Sequence, residues 1–107
     1  MLPAGGLNQP DVLAVWNAAR ADCLAHALDV QVSLNSQAWI SGKVRLDRTA
    51  TNSRPGEPKL TYGAWYDALS AIRGFVEHYP RIDFLYNVYG EDEDFSLAVG
   101  ALRKQLT

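Results

Sequence analysis

Trp65, Leu69, Ile72, Val76 and Tyr79 recur at steps of four and three residues and stop at Pro80. That spacing gathers apolar side chains on one face of an α-helix, and a proline cannot continue the helix. A helix with one apolar face needs a second layer to cover it. The rest of the chain must therefore supply that layer. Thr61 stands where the cap of this helix is expected. Gly74 interrupts its interior and is expected where another element packs closely.

Upstream, "NQPDVLAVWNAARADCLAHAL" reads as a first helix. Asn8 or Gln9 caps it, Pro10 is tolerated in the first turn, and Asp11 suits the positive helix end. Leu13, Trp16, Cys23, Leu24 and Ala27 trace one face, with Ala19 beside it. The period then changes from helical to alternating. Leu28, Val30, Val32 and Leu34 alternate with polar residues, as do Ile40, Val44 and Leu46, with Gly42 on the apolar side. Both segments read as strands, joined at Asn35-Ser36. Gly42 marks a bulge or a close backbone approach. A long loop, 47–60, follows. Ile82, Phe84, Tyr86 and Val88 form a third strand with two fairly apolar faces, which places it centrally in the sheet.

The last segment contains a run of acids, Glu91, Asp92, Glu93 and Asp94, before Phe95, Ala98, Val99, Leu102 and Leu106. Those apolar residues take helical spacing, and Arg103 and Lys104 fall in what would be the last turn. An acidic first turn and a basic last turn both complement a helix dipole, worth about 0.3–1 kcal/mol each. The expected fold class is α+β, in the order α-β-β-α-β-α: a three-stranded mixed or antiparallel sheet with helices mainly on one face. The inner part of that order is what a split β-α-β unit leaves when its first strand is missing. At 107 residues, the chain is read as one domain with a loose tail at 1–7.

Composition narrows the function classes. The chain is 48% hydrophobic and 21% charged, with a net charge of −2, which suits a folded domain and argues against a general polyanion binder. The single cysteine cannot form an internal disulfide or a cysteine-based zinc site. No membrane-length apolar run or secretory leader is read, so the expected location is the cytoplasm. No phosphate loop, dinucleotide fingerprint, zinc-protease motif or nucleophile elbow occurs, and neither a cofactor nor a metal is expected.

Three functional readings remain. The first is a non-catalytic protein-binding module, such as an inhibitor, an immunity-type protein or an adaptor, with a homodimer also open. Acids predominate between Glu77 and Asp94 and bases between Lys43 and Lys59, a layout that can steer and orient a partner. Its candidate contacts are Glu91, Asp92, Glu93 and Asp94 on one side, and Lys43, Arg45, Arg48 and Arg54 on the other. More tyrosines and tryptophans are present than one helix or sheet face can bury, and these residues favour interfaces. The second reading is nucleic-acid binding by the basic segment 43–59, with Trp39 stacking on a base. The third is a small-ligand site or enzyme around Cys23 and His26, three residues apart, as a thiolate and its base.

Overall fold

The computed structural model describes residues 6–32, 35–51, 59–90 and 96–105. Two helices and four strands follow in the order α1 (Gln9–Leu24), β1 (Gln37–Ser41), β2 (Val44–Ala50), α2 (Tyr62–His78), β3 (Phe84–Tyr89) and β4 (Ser96–Lys104). The strands form one antiparallel sheet in the order β1-β2-β4-β3. The α+β class stands, while the order and the strand count are corrected. β2 and β3 both run antiparallel to β4 and so run parallel to each other with β4 between them. The segment β2–α2–β3 is thus a split β-α-β unit, and β1 is added by a hairpin.

The helix starts follow local chemistry. The Asn8 side chain accepts the Asp11 amide at 3.1 Å, and the Thr61 hydroxyl accepts the Ala64 amide at 3.2 Å. Each satisfies a backbone donor left free by the first turn. α2 buries Trp65, Leu69, Ile72 and Val76 as the spacing requires. α1 buries Val12, Val15, Ala19 and Cys23. Its inward face is therefore rotated from the expected one, and Leu24 is exposed.

Three expected elements change. The strand at Leu28–Leu34 does not join the sheet; Leu28 and Val30 are exposed, and residues 33–34 lie outside the described set. Its backbone instead bonds to the entrance of α2, through Val32 N to Leu60 O, Tyr62 N to Val30 O and Gly63 N to Leu28 O. The expected second strand is a hairpin folded at Gly42-Lys43, with Trp39 facing Leu46 and Ser41 facing Val44. Gly42 has φ of +56°, as the first central residue of a two-residue hairpin turn requires. A side chain there would also collide with the Asp11 carboxylate. Residues 47–50, read as loop, continue β2, and 52–58 lie outside the described residues.

The C-terminal helix is the third change: Ser96–Lys104 is strand β4, between β2 and β3. β3 is consequently an edge and not a central strand. Leu97, Ala98, Ala101 and Leu102 are all buried. These four positions come as two adjacent pairs, at steps of three and four residues, a spacing that imitates the apolar stripe of a helix. Gly100 is fixed by packing, since a Cβ there would overlap the Asp47 carbonyl and the Tyr86 ring.

The core lies between the helices and one sheet face. Val44, Leu46 and Ala50 of β2 meet Ala98 and Leu102 of β4, Val88 of β3, and the buried faces of α1 and α2. On the opposite face Leu85 is 83%, Ile40 55% and Val99 39% exposed. No helix among the described residues is long and apolar enough to cross a membrane.

Candidate partner-binding surface

Strand alternation divides the basic segment. Arg45 and Arg48 are three residues apart, so their side chains leave opposite faces of β2. Arg48 points into the core and is 3% exposed. Its guanidinium lies 5.3 Å from the ring of Trp39 and 5.0 Å from that of Trp65. Its Nε and Nη1 have no hydrogen-bond partner, and no ion pair involves it among the described residues. Burial, the dominant influence, lowers its pKa. Trp39 is 9% exposed and stacks toward Trp65 at 6.0 Å. Both residues were expected at a surface and both are inside.

Arg45 takes the other face, where Asp47 organises the surface. The Asp47 carboxylate accepts the Ala101 amide at 2.9 Å and pairs with Arg45 Nε at 3.3 Å and Arg103 Nη2 at 3.1 Å. One acid thus holds cations from two adjacent strands. The Asp47 carbonyl accepts the Tyr86 hydroxyl, whose ring crosses β4 at Gly100. Burial first, and then the Asp47 charge, raise the Tyr86 pKa well above its usual 10.0.

The β2–β4 register places Arg45 opposite Arg103 and Val44 opposite Lys104, and the Gln105 amide donates to the Lys43 carbonyl. Lys43, Arg45, Arg103 and Lys104 therefore share one end of the sheet. Lys43 and Lys104 have no ion-pair partner among the described residues. A recess of about 250 Å³ lies between Arg45, Arg103, Lys104 and Gln105. A second, of about 360 Å³, runs over Asp47, Leu85, Val99 and Arg103 on the helix-free face. The surface is basic at one end and apolar alongside.

Arg103 and Lys104 escaped the sequence reading because they were assigned to a helix end. The signal available was alternation: Val99, Ala101 and Arg103 step by two and share a face. Arg54 and the acids Glu91–Asp94 lie outside the described residues. The helix-dipole explanation does not apply to that acidic run, because the element that follows it is strand β4.

Cys23 and His26 are not arranged as nucleophile and base. α1 ends at Leu24, before His26. The buried Cys23 thiol donates to the Tyr62 carbonyl at 3.2 Å, while exposed His26 stacks on the Tyr62 ring at 4.0 Å. Burial raises the thiol pKa, which reduces the reactive thiolate. Among the described residues no group of three or more His, Cys, Asp or Glu could hold a metal ion.

Comparison of the chain with protein-family models, curated proteins and solved structures finds no match.

Proposed function

We propose that the chain is a small non-catalytic protein-binding module, of the inhibitor, immunity-type or adaptor kind, that engages an acidic partner with the basic end and helix-free face of its sheet. The observation that carries this is the convergence of Lys43, Arg45, Arg103 and Lys104 beside exposed Leu85, Val99 and Ile40. Apolar area supplies affinity on such a surface, and the charges set approach and orientation. Arg45 and Arg103 are held in place by Asp47, while Lys43 and Lys104, which have no ion-pair partner among the described residues, are offered to a partner's acids.

The experiment is a tagged capture from host extract, with and without nuclease, using the wild type and the Lys43→Glu/Lys104→Glu variant. The reading predicts a discrete protein that survives nuclease and is lost, or weakened about tenfold or more, with the variant. Material retained by wild type and variant alike rejects this surface.

The nucleic-acid reading draws on the same four cations, but it loses Trp39 as a stacking platform and Arg48 as a phosphate contact. Its sign would be retention abolished by nuclease, with a steep loss of affinity as salt rises.

A further inference from the structure

In the order β1-β2-β4-β3, β3 has a neighbour on one side only. Among the described residues, the amides and carbonyls along its outer side therefore have no strand to pair with. Edge strands ordinarily carry a lysine, a proline or another charge that deters pairing. The residues FLYNVY of β3 contain none of these. Leu85 is 83% and Tyr89 53% exposed. Beside the edge, Ala68, Ala71 and Phe75 of α2 leave an apolar groove of about 370 Å³ along the strand. The opposite edge differs, because α1 carries Asp11 to the end of β1, where its carboxylate accepts the Ser41 hydroxyl at 3.1 Å.

We infer that the outer edge of β3 pairs with β3 of a second copy of this chain, antiparallel across a two-fold axis normal to the sheet. The six residues of β3 carry no charge, so the strand itself does not repel an identical one. The two-fold keeps both helical layers on the same side and brings the two α2 grooves face to face. Small Ala68 and Ala71 permit close approach there, and Phe75, 39% exposed, has a facing groove to fill. The flanking charges are also self-complementary. Asp67 lines the recess beside Tyr89 and Gly90, and Arg81 precedes the strand; neither has an ion-pair partner among the described residues. Antiparallel pairing carries the Arg81 end of each copy toward the Asp67 end of the other, twice by symmetry. Asp83, near the same end as Arg81, lies in a groove of the helix-free face with Arg103. This inference does not rest on the proposed function: the basic end of the sheet is not part of the seam, although Leu85 borders both surfaces.

The test is molar mass by light scattering on the full chain, from low micromolar to near-millimolar concentration. The wild type is expected to rise from 11.8 kDa toward twice that mass. Leu85→Lys/Tyr89→Lys, at two exposed positions, is expected to weaken association about tenfold or more while leaving the circular dichroism spectrum unchanged. Asp67→Lys and Arg81→Glu are each expected to weaken it, and their combination to restore it. A wild type that stays at 11.8 kDa, a dimer that the lysine pair leaves intact, or a double charge exchange that restores nothing overturns the inference. Loss of partner capture by Lys43→Glu/Lys104→Glu with an unchanged molar mass separates the two surfaces.

Discussion

Arg48 is the least comfortable residue of this fold. Burying an ion costs several kcal/mol even after relaxation, and an unmet buried donor costs about 1–3 kcal/mol. Against this stand two tryptophan faces, each worth about 2 kcal/mol to a desolvated cation. The balance favours replacing the charge. Arg48→Met keeps most of the volume between Trp39 and Trp65, and is expected to leave stability equal or to raise it by about 1–4 kcal/mol in urea unfolding. A loss of that size would mean the guanidinium is compensated. Gly74 offers a cleaner case. Nothing lies within 4 Å of the position its Cβ would take, so the close packing expected there is absent. Gly74→Ala should stabilise by about 0.5–1 kcal/mol through helix propensity and reduced unfolded-chain entropy. Cys23 should react with a thiol reagent only as the protein unfolds, because the buried thiol has a raised pKa and donates to the Tyr62 carbonyl; fast reaction of the folded chain would contradict its place in the core.

At the scale of elements, legibility followed how much of an element's environment is local. α2 was readable because its cap, stripe and terminating proline all belong to one segment. β4 was not, because its identity is set by flanking strands: Gly100 exists to let Tyr86 cross to the Asp47 carbonyl, a contact between three strands. Ala98, Ala101 and Leu102 favour a helix, and tertiary pairing overrides that preference. The segment from Leu28 failed for the opposite reason. Its alternation is real, yet its hydrogen bonds go to residues 60–63 and not to the sheet. Two measurements test this junction. Gly100→Ala should destabilise by about 2 kcal/mol or more, since either the backbone of Asp47 or the Tyr86 ring must move. Tyr86 titrates above its usual 10.0 in the fold, so its neutral form is the one the fold favours. The associated stability is complete below the unfolded pKa and falls as pH rises beyond it. Stability should therefore decline above about pH 10, and Tyr86→Phe should make that decline shallower. An identical alkaline limb in the variant would remove Tyr86 from the account.

For the whole molecule, the relevant fact is a sheet that the two helices cover on one face, with Leu85, Ile40 and Val99 exposed on the other. The sequence made the charge asymmetry visible but not its geometry. It grouped Arg45 with Arg48, which a strand separates, and it divided Arg45 from Arg103, which a ladder joins. The residues proposed for partner binding are thus partly those expected, Lys43 and Arg45, and partly new, Arg103 and Lys104. Asp47 links Arg45 to Arg103, and Asp47→Asn should weaken both partner binding and the β2–β4 ladder, seen as faster exchange of the Ala101 amide.

Amide hydrogen exchange of the chain with and without the captured partner is the most direct measurement. Added protection is expected over residues 43–47 and 99–104, with the outward faces of α1 and α2 unchanged. Protection confined to those helix faces, with none at the basic end of the sheet, would contradict it.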